Sequence, residues 1–121
     1  MSILVVDDEA SVRTALADFL GQSGYSVVTA ANGYEALEMI SRVSPEMVIT
    51  DVKMPQMSGL ELLEEIKRKD PLLPVLMVTA YGTIDSAVQA MKLGAADYIL
   101  KPFSFEALES AVKKEQAAFR K

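Results

Sequence analysis

Five times along the chain a short apolar run gives way, after a few polar or turn-forming residues, to apolar positions at helical spacing. Strand-helix alternation with links this short implies a parallel sheet with right-handed crossovers and helices on both faces. The central unit is the clearest. Met47-Val48-Ile49-Thr50-Asp51 reads as a strand buried on both faces, Pro55 and Gly59 force a turn, and Leu60, Leu63 and Ile66 follow at helical spacing. Asp51 therefore stands at the carboxyl end of a strand, where open α/β sheets place their ligands.

The flanking units repeat the pattern. Ile3 to Val6 runs into Asp7-Asp8-Glu9 and then Val12, Leu16, Phe19 and Leu20, with Gly21 and Gly24 closing the first helix. Tyr25 to Thr29 is the second strand. Asn32-Gly33 turns into a helix carrying Ala36, Leu37 and Ile40, which Pro45 ends, while Asp70-Pro71 and Pro74 stop the third helix near Lys69. Val75 to Val78 is the fourth strand, Thr79 to Thr83 a longer turn, and Ile84, Val88 and Met91 the apolar stripe of a fourth helix that Gly94 terminates. Asp97 to Leu100 is the fifth strand. Ser104 can cap a last helix whose buried face is Leu108, Ala111, Val112 and Phe119. A chain of 121 residues, 50% of them hydrophobic, has the size of one domain, so 1–121 is read as a single unit. It fits either a single-domain protein or a chain cut before a linker.

Composition excludes much of chemistry. With neither cysteine nor histidine there is no disulfide, thiolate zinc site, cysteine nucleophile or Ser-His-Asp triad. Any metal must be held by oxygen, which favours Mg²⁺, Ca²⁺ or Mn²⁺. A net charge of -5 argues against this domain binding nucleic acid directly through phosphates. No apolar run approaches a membrane span, and the first residues lack the basic and apolar regions of a signal peptide; a cytoplasmic protein without membrane association is expected.

The polar residues then fall into place. Asp7 and Asp8 leave strand one, Asp51 leaves strand three, Thr79 strand four and Lys101 strand five, so neighbouring strands would bring all five into one cleft. Three crowded carboxylates repel one another unless a cation joins them, and a hard divalent ion such as Mg²⁺ takes carboxylates while leaving room for phosphate oxygens. With Lys101 and the Thr79 hydroxyl opposite, the cleft suits phosphoryl transfer, and Asp51, the lone acid on the central strand, is the expected nucleophile forming an acyl phosphate. Plainer roles are open to each residue. Asp8 could cap helix one, Asp51 or Thr79 could form a turn, Lys101-Pro102 could be a surface loop, and Tyr98 could be a core ring with its hydroxyl at the edge. Met54 and Met57 read as packing, since thioethers suit soft metals. The coincidence of five such residues at strand ends favours the chemical reading.

Val5-Val6-Asp7-Asp8-Glu9, Asn32-Gly33-Tyr34-Glu35-Ala36-Leu37, Asp51 to Gly59, Thr79-Ala80, and Gly94-Ala95-Ala96-Asp97-Tyr98 leading into Lys101-Pro102-Phe103 carry a specific resemblance. From Ile3 to about Phe119 the sequence resembles the receiver domains of bacterial two-component response regulators. The resemblance implies a flavodoxin-like (βα)5 three-layer sandwich with a parallel sheet of order 2-1-3-4-5. It implies that Asp51 accepts phosphate from a sensor histidine kinase, that Asp8, Asp51 and the Lys53 carbonyl bind Mg²⁺ directly, and that Asp7 acts partly through water. It further implies that Lys101 pairs with the phosphoryl group, that Thr79 hydrogen-bonds it, that Tyr98 swings inward in response, and that the Lys101-Pro102 bond is cis. Lys53 and Tyr81 would flank the path of the hydrolytic water and slow loss of the phosphoryl group. The run Thr79 to Val88 resembles receivers of nitrogen-regulation-type activators, which implies control of transcription through an output domain in cis or a partner protein.

A phosphorylation-dependent homodimer is expected through helix four, strand five and helix five, a surface combining Ile84, Ala95 and the Tyr98 ring with Lys92, Asp97, Glu106 and Lys113. The expected role is a phosphoacceptor signalling domain with self-catalysed phosphotransfer and slow autodephosphorylation, not an enzyme. Alternatives are a stand-alone regulator acting by protein binding, and an aspartate-nucleophile phosphatase of the haloacid dehalogenase type. The phosphatase needs a second acid two residues after the nucleophile, where Lys53 stands. A degenerate receiver would have lost the acids or the lysine, and a flavin carrier of this fold needs a phosphate loop after strand one that is missing here.

Overall fold

A computed structural model describes residues 1–80 and 84–119, with side chains to residue 117; Tyr81 and the ring of Phe119, both given roles above, lie outside the described residues. The elements alternate as β1 (Ser2–Val6), α1 (Ala10–Gln22), β2 (Ser26–Ala30), α2 (Gly33–Val43), β3 (Met47–Thr50), α3 (Gly59–Lys69), β4 (Val75–Thr79), α4 (Ile84–Lys92), β5 (Asp97–Leu100) and α5 (Phe105–Phe119). The five strands form one parallel sheet of order β2-β1-β3-β4-β5, the flavodoxin-like arrangement expected.

Side-chain alternation along the strands divides the interior in two. Leu4, Val6, Val48, Val75 and Met77 meet Ala36, Leu62, Leu63, Ile66 and Ala90 from α2, α3 and α4. Ile3, Val5, Met47, Ile49, Leu76 and Val78 face the other way and meet Leu16, Leu20, Leu108 and Val112 from α1 and α5. Central strands buried on both faces read as continuous apolar runs, and each large aliphatic removed from water there contributes about 2 kcal/mol. This two-sided burial holds the carboxyl ends of β1 and β3 rigidly side by side.

Helix ends follow local chemistry. Asn32 accepts the Glu35 amide at 2.8 Å, Ser58 and Glu61 form a reciprocal capping box, and Ser104 Oγ accepts the Ala107 amide at 3.0 Å, capping α5 as expected. The close of α1 differs from expectation. Gly21 lies within the helix, and Gly24, at φ +98°, is the residue whose left-handed backbone follows its end.

A larger difference concerns α4. Its stripe of Ile84, Val88 and Met91 is 84%, 47% and 51% exposed, and Ala90 is the residue it buries. The sheet ends at β5, so a nine-residue helix in the last crossover has too little sheet beneath it to cover a whole apolar face. Ala95, expected on that outer surface, is instead buried in the core.

Candidate functional site

The site grows from the ends of β1, β3 and β5. Asp51 immediately follows β3, and its amide donates to Val6 O at 3.0 Å, which continues the sheet by one bond and fixes the backbone beneath the side chain. The Val52 amide donates to Asp51 Oδ1 at 2.7 Å. One carboxylate oxygen is thus held, and the other, Oδ2, lies 3.6 Å from Lys101 Nζ. Asp7 is fixed on all sides: its amide donates to Ala30 O, its Oδ1 accepts the Glu9 amide at 3.0 Å, and its Oδ2 accepts Lys101 Nζ at 3.0 Å. Asp7 and Asp51 are buried, whereas Asp8 is exposed at the mouth. Asp8 does not cap α1. The N-cap is Glu9, and its side chain makes no capping bond.

Oxygens of Asp7, Asp8 and Asp51 lie within 4.8 Å of one another. Lys101 pairs with two of these three carboxylates, so hard oxygen donors stand crowded together with negative charge still to be neutralised, and this donor set fits Mg²⁺. Asp8, Glu9, Asp51, Lys53, Met54 and Pro55 line an open cleft of about 340 Å³ above them, so the exposed Lys53 stands at its edge. Burial alone would lower the Lys101 ammonium, but its hydrogen bond and charge interaction with Asp7, with the charge of Asp51 added, together outweigh burial and hold the pKa above the usual lysine value. Lys101 stays charged, as a fixed cation facing the acids.

The approach of α3 to the site is unusually close. The Gly59 amide donates to Val52 O at 2.6 Å, and a β-carbon built on Gly59 would stand 2.0 Å from Asp51 O. Gly59 thus lets the capped start of α3 sit directly behind the Asp51 peptide.

Thr79 is the fully buried last residue of β4, paired with Leu100, and its carbonyl accepts the Lys101 amide at 2.9 Å. It shares the sheet edge with the acids. Tyr98 pairs with Met77 further down the sheet, half-buried, with its hydroxyl 2.9 Å from Ser86 Oγ on α4. The Lys101-Pro102 bond is cis. Met54 and Met57 are buried packing residues.

Sequence reasoning passed over two residues. Ser86, on α4, holds the Tyr98 hydroxyl. Arg13, in the first turn of α1, donates from Nη1 to the Asp7 carbonyl at 2.7 Å. A cation so near the positive end of a helix dipole is unfavourable without a partner, and that oddity was the available signal.

Against known proteins, residues 3–113 match the family described as response regulator receiver domain. The chain is 42% identical over 120 residues to the transcriptional regulatory protein ZraR of Klebsiella oxytoca, covering 99% of this chain and 27% of that protein. It is 39% identical over 112 residues to the DNA-binding transcriptional regulator NtrC of Escherichia coli strain K12, covering 93% of this chain and 24% of that protein. The chain thus spans about a quarter of the length of these curated relatives. Among solved structures, a receiver domain protein from Clostridium thermocellum superposes with a TM-score of 0.93 at 36% identity, covering 98% of this chain and 96% of that one. The receiver domain of NtrX from Brucella abortus does so with a TM-score of 0.89 at 38% identity, covering 93% and 96%.

Proposed function

Because the chain belongs to the response regulator receiver domain family, we propose that residues 1–121 act as a phosphoacceptor unit that takes a phosphoryl group on Asp51 from a sensor histidine kinase. The observation that carries this reading is the asymmetry of the Asp51 carboxylate. Oδ1 is tied to the Val52 amide, while Oδ2 faces Lys101 and the cleft. Oδ2 attacks phosphorus, the O–P bond forms as the donor N–P bond breaks, and the electron pair leaves with the imidazole nitrogen, which later takes a proton from solvent. Lys101, already charged between Asp7 and Asp51, shifts onto a phosphoryl oxygen as Oδ2 is consumed. Asp7, Asp8, Asp51 and the Lys53 carbonyl would hold Mg²⁺, which supplies the charge neutralisation an anionic donor needs near three carboxylates. Thr79 hydrogen-bonds the transferred group, and Tyr98 moves inward behind it. Such a unit is a signalling domain in the cytoplasm, with slow autodephosphorylation shielded by Lys53.

Incubation with phosphoramidate and Mg²⁺, followed by mass spectrometry, is expected to add one phosphoryl group, located on Asp51 and abolished by chelation. Modification of another residue, or uptake without metal, would overturn the reading.

The output is proposed to be transcriptional, through a further domain or a partner, by likeness to relatives named as transcriptional regulators. The exposed Ile84, Val88 and Met91 on α4 and Leu100 on β5, with the charged Lys92, Glu106 and Lys113, supply an apolar face with charges to set register for a two-fold contact. A switch from mostly off to mostly on requires about 5.5 kcal/mol of preference for the active state. Sedimentation velocity is expected to find a monomer that dimerises when beryllium fluoride mimics the phosphoryl group, with a weaker response in Tyr98→Ala. An unchanged mass would remove this contact from the account.

A further inference from the structure

Asp8 presents a problem of positioning. Its carboxylate is exposed and, among the described residues, no hydrogen bond or ion pair holds it, yet its oxygen lies within 4.8 Å of the Asp7 and Asp51 oxygens. Whatever aims it must act through the backbone. The Asp7-Asp8 peptide is planar, so the direction of the Asp7 carbonyl also fixes the Asp8 amide and α-carbon. That carbonyl has left the sheet, since β1 ends at Val6, and it accepts from Arg13 Nη1 at 2.7 Å.

We infer that Arg13 is a positioning residue for the metal-binding acids: its guanidinium clamps the Asp7-Asp8 peptide and thereby aims Asp8 into the site. The inference rests on the proposed Mg²⁺ role of Asp7, Asp8 and Asp51, and assigns the supporting contact that role requires. Three features favour it. First, Glu9 makes no side-chain cap, so the turn carrying Asp8 is held by the bond from the Glu9 amide to Asp7 Oδ1 on one side and by Arg13 on the Asp7 carbonyl on the other. Arg13, whose own amide donates to Glu9 O at 3.1 Å, sits one turn inside the helix and reaches back across that entry.

Second, Arg13 donates to a backbone carbonyl, whereas Lys101 pairs with the Asp7 and Asp51 carboxylates. A cation bound to the carbonyl adds positive charge without occupying the oxygens a metal would use. Third, guanidinium is always charged and its donors are fixed in a plane, so it defines the orientation of the peptide it holds more closely than a flexible ammonium does. Contacts that orient metal ligands are worth about 10- to 100-fold in metal affinity.

The test is titration calorimetry of Mg²⁺ on the intact chain, with urea unfolding and amide NMR of the metal-free protein beside it. Arg13→Ala is expected to weaken Mg²⁺ about 10-fold while moving the urea midpoint little, with Arg13→Lys recovering much of the loss. In the metal-free variant the Asp8 and Glu9 amide resonances should move and those of α3 should stay. Arg13→Met keeps the apolar stem and carries the same expectation if the alanine variant does not fold. Unchanged affinity in Arg13→Ala would overturn the role, as would a loss that tracks the fall in urea midpoint and is not recovered by lysine. A wild type that binds no Mg²⁺ would remove the metal reading itself, and this role with it.

Discussion

Replacing Asp51 by Asn is expected to lower phosphoryl uptake from phosphoramidate by about 10³-fold or more, the scale on which deleting a covalent nucleophile acts. The amide can keep the bond from the Val52 amide and the packing of a nearly isosteric side chain, so the fold survives. Only the nucleophilic carboxylate is lost. The charge balance supplies a second readout. Asp51 is buried beside Asp7 with Asp8 close by, and Lys101 pairs with the Asp7 and Asp51 carboxylates, so removing one of three negative charges relieves repulsion while leaving the Lys101–Asp7 pair in place. Without Mg²⁺, Asp51→Asn should unfold at a urea concentration no lower than wild type does. Uptake at residue 51 in the variant, or a markedly lower midpoint, would contradict the account of this carboxylate.

Gly59→Ala is expected to be the most damaging small substitution near the site. The added carbon would stand 2.0 Å from Asp51 O and 2.7 Å from the Val52 α-carbon, both backbone atoms that cannot rotate away. Relief requires moving the capped start of α3 or the peptide that carries Asp51. Overpacking of this kind costs about 3 kcal/mol, or roughly 10 °C in melting temperature for a chain of this size. Phosphorylation should fall as well, because a shift of the Val52 amide releases Oδ1. Gly33→Ala is the control. There the new carbon meets Met57, whose Sδ lies 2.5 Å away on a side chain that can repack, so about 1 kcal/mol is expected. Equal melting temperatures for the two variants would show that the close approach behind Asp51 is not rigid.

Much of the site was legible because strand ends are legible. An apolar run followed by a polar residue marks where the chain leaves a parallel sheet, and the register then brings Asp7, Asp51 and Lys101 together without further instruction. Met54 and Met57 were read as packing on a different ground, the mismatch of a soft thioether with a hard oxygen site, and both are buried. The partner of Arg13 was not legible, because it is a backbone carbonyl, which every residue possesses and no side-chain motif reports; the sequence showed only a cation in the first turn of α1. The pairing of Tyr98 with Ser86 was missed because spacing does not reveal which hydroxyl a ring meets across a helix. The α4 stripe shows another limit. Periodicity identifies a face, but only the position of a helix over the sheet decides whether that face is covered. Ala95 was misplaced for a related reason, since a small apolar residue beside a helix end reads equally well inside or outside.

The uncovered face of α4 also bears on how firmly different parts of the molecule are held. α3 buries Gly59, Leu62, Leu63 and Ile66, so it can detach only by opening the core beneath the sheet. α4, burying Ala90, has much less to lose, since a helix of this length owes its persistence to packing more than to propensity. Its local opening free energy should therefore lie well below that of the whole domain, and its amides should exchange hydrogen faster than those of α3. The acids thus stand on the stiff part of the protein, while the Ser86 hydroxyl that holds Tyr98 stands on the loose part. A disturbance at the sheet edge can then rearrange α4 at a small free-energy cost while leaving the carboxylates where they were.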